Sequence, residues 1–542
     1  MSASPTDRPA ALGSWLAGAA VALAAALAYV TTLRSYFIGD DFGLIKVLHG
    51  KPLLHFFSLF TGSWTDNIYG VRPDELRPFI ALGYQLDAWG GAASPVAYHL
   101  GSVAYHVACA LLTFALARVA ARATRPAALL AGLLFAVHPA HAEAVAWISG
   151  RADSIPTLFY LAALLAYAGW RERPRAWLYG VSLLLFFCAL FSKQSAITLP
   201  VVLLAFELLV QGRRDRPLAR WLAPVVPFAA LTAGYLGLRQ VLFGNYVREQ
   251  LLSVGLVRTF LRRQPAYVDA LLAPAVVATE DATVRGLVLL ALAIAGSGVL
   301  AWTAWRSRLR AGALIFFGPV WYVATVGPML VTYFSPRHLY LASAGLAIVW
   351  GLAFDLLTRD RGRARLAACG LAGTVLLGAY AGALRLHNRH WNDAGRVSQA
   401  LVAEAHRAAR AAPEGSLVLV DAPWRTRYAF VWGWAVPFTM QPPFAAEDLT
   451  RRVHVVSHSW NYCCPQDAWL RDLRGQVEAW SARSSPAFVV GVSPPDPRTR
   501  TVTDVRVPGL REALRAVAVA PTPQEAQARL QNAMGLARQA RP

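Results

Sequence analysis

Lysine and acidic residues are scarce in this sequence. Lysine occurs only at Lys46, Lys51 and Lys193, although the 542 residues include 52 basic ones, and 31 acidic residues leave a net charge of +21. The arginines stand at the ends of apolar runs and in the C-terminal segment. They form no basic stripe interleaved with aromatics, which excludes a nucleic-acid partner. Because nearly all basic residues of this chain are arginines, a lysine between two apolar runs, such as Lys193, is a candidate for a functional role.

Cysteine is rare, and glycine-rich phosphate loops are missing from the apolar part of the chain. The five cysteines are scattered or adjacent, as at Cys463 and Cys464, and they match no metal-ligand spacing. We therefore predict no metal centre and no other cofactor; His138, His141 and Glu143 stay open as an alternative set of metal ligands, although their spacing is not diagnostic of zinc. The missing phosphate loops also disfavour a nucleotide as the ligand of the apolar region.

Long apolar runs dominate the first 390 residues. Hydrophobic residues make up 56% of the chain, and runs of about 20 residues recur between short polar connections. This pattern predicts a mainly α, polytopic helical membrane protein, and the first run is expected to be an anchor rather than a cleaved signal peptide. We predict eleven spans, at residues 11–33, 95–117, 126–141, 153–170, 176–192, 195–211, 221–240, 284–305, 311–331, 338–357 and 366–386.

The connections between these runs alternate in charge. One set is short and rich in arginine, as at residues 118–125 and 359–365, which is typical of cytoplasmic loops. The predicted topology therefore places the N-terminus in the cytoplasm and the C-terminus outside. The arginine- and alanine-rich usage favours the inner (cytoplasmic) membrane of a bacterium, with the other set of connections facing the periplasm.

The composition changes to that of a soluble domain near residue 396. Strands are predicted at residues 416–420, 428–436, 453–456 and 487–492, and helices at 467–482, 510–517 and 524–540. We therefore predict a membrane domain at residues 1–395 and a small α/β extracytoplasmic domain at residues 396–542.

Adjacent carboxylates follow the first apolar run, at Asp40 and Asp41. If the first helix ends there, its dipole disfavours both charges, so a function would have to retain them. A carboxylate at the membrane surface suits a general base that deprotonates a hydroxyl group. The alternative is a solvated helix end without a catalytic role.

Ionisable residues also collect in the later outer connections. Ionisable groups at membrane depth are rare and are usually functional, and cations at a helix N-terminus suit an anionic ligand. Snorkelling, interfacial anchoring or a simple pairing of Arg151 with Asp153 are the structural alternatives. The candidates are His138, Glu143, Arg151 and Asp153, then Lys193, then Arg337, His338 and Tyr340, with Arg72 and Arg77 in the first outer connection.

These motifs resemble the GT-C glycosyltransferases, and in particular the transmembrane O-mannosyltransferases with tetratricopeptide repeats and their bacterial relatives. The resemblance covers residues 30–395. It rests on Gly39-Asp40-Asp41-Phe42, on Leu76-Arg77-Pro78 through Tyr98-His99-Leu100, on His138-Pro139, Glu143-Ala144 and Gly150-Arg151-Ala152-Asp153, on Arg337-His338-Leu339-Tyr340-Leu341, and on Trp391-Asn392-Asp393.

The resemblance implies transfer of a sugar from a polyprenyl-phosphate carrier to an acceptor hydroxyl at the outer face of the membrane, with inversion. Asp40 or Asp41 would be the general base. Lys193, Arg337 and His338 would bind the donor phosphate, while Arg77, His138, Glu143, Arg151, Asp153 and Tyr340 would line the substrate site. The C-terminal segment shows no tetratricopeptide repeat, and the Asp-Asp pair replaces the usual Asp-Glu, so the acceptor is left open between glycan, lipid and protein.

Three other functions compete with this interpretation. A transporter or flippase of lipid-linked glycans would place polar residues at mid-membrane and show an internal repeat, and neither feature is evident. A polysaccharide ligase would share much of the chemistry. A scaffold that merely presents the C-terminal domain would leave the outer polar clusters unexplained.

Overall fold

The computed structural model describes residues 7–540, except for 66–67, 69–72, 92, 212–216, 248–253, 274–283, 307–310, 332, 360–361, 428, 432–434, 458–465 and 493–497. Arg72, Cys463 and Cys464 lie outside the described residues. Helices α1 to α18 precede the first strand; they are Asp7–Ala28, Asp41–Leu48, His55–Ser58, Pro78–Ala88, Pro95–Val119, Arg125–Ala136, Ala142–Ala146, Arg151–Glu172, Ala176–Leu190, Leu199–Phe206, Leu218–Leu222, Val226–Phe243, Val254–Leu272, Val284–Arg306, Ala311–Ile315, Trp321–Val326, Tyr340–Thr358 and Arg363–Ala411.

Nine helical segments of the described chain are long and apolar enough to cross a membrane, which confirms the prediction of a polytopic helical protein. A tenth is counted if the bent pair Arg125–Ala136 and Pro139–Ala146 forms one span, with an angle of 43° between its halves. The predicted span 176–192 corresponds to α9, which has only 15 residues. Its length of about 23 Å falls short of a hydrocarbon core of about 30 Å. The predicted count of eleven is therefore not confirmed.

The last predicted span is part of a much longer helix. α18 continues for 49 residues, from Arg363 to Ala411, without a break. At 1.5 Å per residue it extends for about 74 Å, more than twice the thickness of a hydrocarbon core. A membrane can therefore contain only part of this helix, and the apolar first part is the segment that can span it.

The chain divides into two compact units. The first contains residues 1–30, 76–80 and 100–388, and the second contains residues 31–75, 81–99 and 389–542. Within the first unit, α8 packs on α9, α6 on α17 and α13 on α14. Gly351 of α17 lies so close to α6 that an added Cβ atom would stand 2.5 Å from the Ala127 carbonyl oxygen. Small residues of this kind let membrane helices approach each other closely.

The C-terminal part of the second unit is the small α/β structure expected from the sequence. It contains β1 (Leu417–Asp421), β2 (Arg425–Thr426), β3 (Ala429–Phe430), α19 (Val436–Thr439), β4 (His454–Ser457), α20 (Gln466–Ser481), β5 (Ala487–Val492), β6 (Thr499–Thr503), α21 (Leu510–Ala518) and α22 (Pro523–Gln539). The sheet order is β4-β1-β5-β6, with β1 parallel to β4 and β5 and with β6 antiparallel to β5.

One predicted strand of this region is largely wrong. Residues 428–436 were expected to be a single strand, whereas the described part forms only the two-residue strand β3, and α19 begins at Val436. The sequence also gives no signal for β6, because its threonine- and arginine-rich segment lacks apolar alternation. Behind the sheet, Trp480, Leu514 and Leu530 pack in one apolar core with the strand residues Leu419 and Val489.

Candidate functional site

Two acidic side chains of the first unit are positioned by a tight connection between α7 and α8. Glu143 lies in the first turn of α7, and Asp153 lies in the first turn of α8, where the helix dipole stabilises a carboxylate. Gly150 makes the turn possible, because a Cβ atom there would stand 2.1 Å from the Glu143 carbonyl oxygen. The absence of a side chain at residue 150 therefore fixes how the two helices meet.

Asp153 is shared by two cations that are distant in sequence. Arg337 donates a hydrogen bond from Nη1 to Asp153 Oδ2 at 2.7 Å, and the Lys193 ammonium donates to Asp153 Oδ1. Arg337 also lies beside Glu143, with 3.2 Å between Nε and Oε1. The structure thus brings together four of the residues predicted from the sequence, and all four belong to the first unit.

The environment of Arg337 includes residues that sequence patterning does not single out. Ser335 donates a hydrogen bond from Oγ to Glu143 Oε2 at 2.6 Å and accepts one from the Arg337 backbone N–H at 3.3 Å. The Arg337 guanidinium carbon lies 5.6 Å from the ring centroids of both Trp147 and Tyr333. Aromatic rings hold a guanidinium in place by cation–π attraction. In the sequence these two aromatic residues stand next to apolar runs, so they cannot be distinguished from ordinary membrane-span residues.

The ion-pair cluster is nearly buried yet not sealed. The Lys193 and Arg337 side chains are each 12% exposed, and Asp153 is 7% exposed. Burial lowers the pKa of Lys193 to about 8, against the opposing attraction of Asp153, and the positive charges of Arg337 and Arg77 lower it further. Arg77 therefore acts electrostatically on the same site. Within the cluster itself, two basic residues, Lys193 and Arg337, are paired with the carboxylates of Asp153 and Glu143.

The remaining sequence candidates of the first unit engage their own partners. His138 Nε2 lies 3.1 Å from the Leu271 carbonyl oxygen, and Arg151 donates to the Ser102 hydroxyl and the Ile148 carbonyl, both at 3.1 Å. The Tyr340 hydroxyl lies 2.7 Å from Nδ1 of His106 on α5, and His338 Nδ1 lies 3.4 Å from the Tyr267 hydroxyl. These contacts pack helices together. A substrate-binding role for His138, Arg151 and Tyr340 stays a prediction, and so does a phosphate-binding role for His338.

Asp40 and Asp41 belong to the second unit, and their structural setting differs from the one expected. α1 ends at Ala28, and Asp40 is the residue before α2, whose first residue is Asp41. The carboxylates therefore lie at a helix N-terminus, where the dipole favours them, and the expectation of an unfavourable helix C-terminus is wrong. Gly39, with φ of +54°, makes the turn into α2. Asp41 is 1% exposed, and its Oδ2 accepts the Ile38 N–H at 3.0 Å.

No group of three or more His, Cys, Asp or Glu side chains is placed to hold a metal ion in the part of the chain that the structure describes. At the Lys193–Arg337 cluster, the ammonium and the guanidinium supply hydrogen-bond donors and positive charge. Such groups bind and stabilise phosphate oxygens.

Comparisons with known proteins identify relatives. The chain is 35% identical to protein O-mannosyl-transferase Tmtc1 of Drosophila melanogaster over 175 residues, which are 31% of this chain and 20% of that protein. It is 33% identical to protein O-mannosyl-transferase TMTC2 of Homo sapiens over 201 residues, 34% of this chain and 23% of that protein. The resemblance to this family is confirmed. The matched segments span about a fifth of these relatives' own length, and no family model matches the chain.

Two solved structures show a partial likeness to this chain. Arabinofuranosyltransferase AftD from Mycobacteria is 14% identical, with a TM-score of 0.47 over 87% of this chain and 35% of that chain. The archaeal oligosaccharyltransferase AglB from Archaeoglobus fulgidus, in complex with an inhibitory peptide and a dolichol-phosphate, is 11% identical, with a TM-score of 0.49 over 87% of this chain and 69% of that chain. The resemblance to the O-mannosyltransferases rests on the sequence relatives.

Proposed function

We propose that this protein is a GT-C type glycosyltransferase that moves a sugar from a polyprenyl-phosphate carrier to an acceptor hydroxyl. The observation that carries the proposal is the shared Asp153, which holds the Lys193 ammonium and the Arg337 guanidinium side by side in a nearly buried cluster that retains some exposure. The similarity to protein O-mannosyl-transferases supports the same reaction class.

The cluster has unused capacity for a phosphate. An ammonium offers three N–H donors and a guanidinium five, whereas the described hydrogen bonds use one on Lys193 and two on Arg337, whose Nε also lies in ion-pair range of Glu143. A phosphate oxygen can therefore bind without displacing Asp153 or Glu143. The two carboxylates offset the repulsion between the two cations. Arg77 adds a further positive charge that acts on Lys193.

Cations placed on the leaving group would supply much of the catalysis. In the proposed reaction the acceptor oxygen attacks the anomeric carbon, and its proton passes to a carboxylate. The bond between the anomeric carbon and the phosphate oxygen breaks, and the phosphate leaves with the bonding electron pair, which inverts the anomeric configuration. Charge that grows on the phosphate oxygens is stabilised by donors that are already oriented in a site of low polarity.

The general base is proposed to be Asp40 or Asp41. The N-terminus of α2 favours the ionised form of both carboxylates, which is the form that a base requires. The Ile38 N–H fixes one oxygen of Asp41. The test below decides between the two residues, and no metal or other cofactor is proposed.

The orientation and the substrates belong to the same proposal. The arginine-rich connections favour a cytoplasmic N-terminus and place the reaction at the outer face of a bacterial inner membrane, with residues 396–542 as a periplasmic domain. The partners are membrane lipid, the lipid-linked sugar donor and an acceptor that is a glycan, a lipid or a protein.

The experiment is transfer of labelled mannose from a polyprenyl-phosphate donor in proteoliposomes that contain the full chain. Asp40→Asn and Asp41→Asn are compared with Asp74→Asn, a carboxylate of the same connection. Loss of transfer in one of the first two variants, with normal insertion, supports the proposal and identifies the base. Wild-type activity in both would remove the carboxylate assignment. Movement of the donor between leaflets without transfer would replace the proposal with a flippase.

A further inference from the structure

The second unit contains a small cleft. It has a volume of about 250 Å³ and lies between the end of α2, the connection that follows it, α4 and the beginning of α5. Its lining combines aromatic, amide and basic side chains, among them His49, Lys51, Tyr84, Gln85, Trp89 and Tyr98.

Gln85 brings an unsatisfied acceptor to this cleft. The residue is only 5% exposed, and its side-chain N–H₂ donates to the Pro52 carbonyl oxygen at 3.2 Å. That contact fixes the amide orientation, because only the nitrogen can donate to a carbonyl. Oε1 is buried and has no hydrogen-bond partner among the described residues. A buried acceptor without a partner is destabilising, and a ligand hydroxyl would satisfy it.

Aromatic side chains line the same cleft as Gln85. Tyr84 and Tyr98 are each 1% exposed, and their ring centroids lie 6.0 Å apart. Trp89 is 72% exposed at the margin of the cleft. Rigid rings offer apolar faces to a ligand, and their polar edges accept or donate hydrogen bonds.

The rim adds donors that suit a neutral polyol. Lys51 supplies an ammonium, and the pKa of His49 is lowered by partial burial and by the charge of Lys46. A neutral imidazole both donates and accepts a hydrogen bond, as a sugar hydroxyl does. The volume is below the roughly 300 Å³ at which drug-sized pockets begin, and so it suits a single sugar ring.

We propose that this cleft binds one hexopyranose unit of a glycan, with a ring hydroxyl donating to Gln85 Oε1 and an apolar sugar face against the aromatic walls. This inference rests on the proposed function and deepens it, because it proposes a glycan as the acceptor of the transferred sugar. The binding itself is measured without any donor, so a failure of sugar binding and a failure of sugar transfer are distinguishable.

The test uses the full chain in nanodiscs and saturation-transfer NMR with a panel of methyl hexopyranosides, with cyclohexanol as the apolar probe. We expect at least one hexoside to bind while cyclohexanol does not. Gln85→Leu and Trp89→Ala are each expected to weaken that binding by about fivefold, because each removes one hydrogen bond or one ring contact.

Phe57→Ala is the matched control, because Phe57 is an exposed aromatic of the same connection that does not line the cleft. It should leave binding unchanged. Trp89→Ala keeps the test decisive if Gln85→Leu does not fold, because Trp89 is a surface residue. Binding of no hexoside, binding equal to that of cyclohexanol, or unchanged binding in the folded variants would overturn the proposal.

Discussion

Asp153→Asn offers the sharpest way to separate an anion site from a purely structural ion pair. The substitution keeps the shape of the side chain but removes the charge that Lys193 and Arg337 share. Two nearly buried cations then face each other with Glu143 as the remaining nearby carboxylate. Breaking a buried ion pair in this way costs about 3–5 kcal/mol, and the small remaining exposure of the cations favours the lower value.

The same substitution should increase the response to added anions. A ligand that binds only the folded state stabilises it by about 2.7 kcal/mol when its concentration is a hundred times its dissociation constant. Phosphate, or polyprenyl phosphate, would thus restore most of the stability lost in Asp153→Asn, because it supplies the missing negative charge. For a unit of this size, a loss of about 3 kcal/mol corresponds to a fall in melting temperature of about 4–5 °C.

The assay is thermal unfolding of the purified full chain in detergent, followed by size-exclusion chromatography, with and without the anion. Asp269→Asn is the matched control, because Asp269 pairs with one cation, Arg285, at 2.7 and 2.5 Å, and Arg285 is 42% exposed. The control should lose less stability and show no special rescue. Equal stability of Asp153→Asn and wild type, or equal anion rescue of the two variants, would refute the reasoning.

Three further predictions concern the same unit. Donor-phosphate binding should fall as the pH rises through about 8, because burial lowers the pKa of Lys193 to about 8 and the ammonium is lost above that pH. In a fluorescence titration, Lys193→Arg should retain binding to about pH 10. Identical pH profiles of the wild type and the variant would contradict this prediction. Gly150→Ala should destabilise the protein by about 2–3 kcal/mol in thermal unfolding, because the new carbon would lie 2.1 Å from the Glu143 carbonyl oxygen, whereas Gly169→Ala, with its nearest neighbour at 3.8 Å, serves as the tolerant control. Ser335→Ala should cost about 1–2 kcal/mol by the same measurement, because it removes the 2.6 Å hydrogen bond to a carboxylate, and an unchanged melting temperature would argue against that contact.

Sequence patterning predicts the Lys193–Arg337 cluster because the positions of its members follow from the alternation of apolar runs. Glu143 and Asp153 flank one connection, and Lys193 and Arg337 begin later helical segments of the same alternation. When runs cross a membrane in turn, every second connection returns to the same side. Charges in those connections are therefore neighbours, although the sequence does not reveal which cation meets which carboxylate.

The sequence could not reveal that a new helix begins at the carboxylates. The predicted first span, residues 11–33, agrees with the membrane-length segment Gly13–Thr32, but the chain then turns through the positive φ of Gly39 and restarts as α2 at Asp41. The predicted span 366–386 does not show that α18 continues to Ala411, although the polar continuation contains good helix formers and has no Gly or Pro after Gly395. Hydropathy reports burial in lipid, whereas helix continuity depends on local backbone preferences.

The most direct test of the account is equilibrium binding of polyprenyl phosphate to the full chain in nanodiscs. Wild type, Arg337→Gln and Arg337→Lys are compared with Arg285→Gln, a change in an ion pair of the same unit that is not part of the cluster. The account predicts that wild type and Arg285→Gln bind equally. Arg337→Gln should bind about tenfold more weakly, from the loss of a charge-assisted hydrogen bond. Arg337→Lys, which keeps the charge but not the fork of donors, should fall between them. Wild-type affinity in a folded Arg337→Gln variant would contradict the claim that this cluster holds the phosphate of the donor.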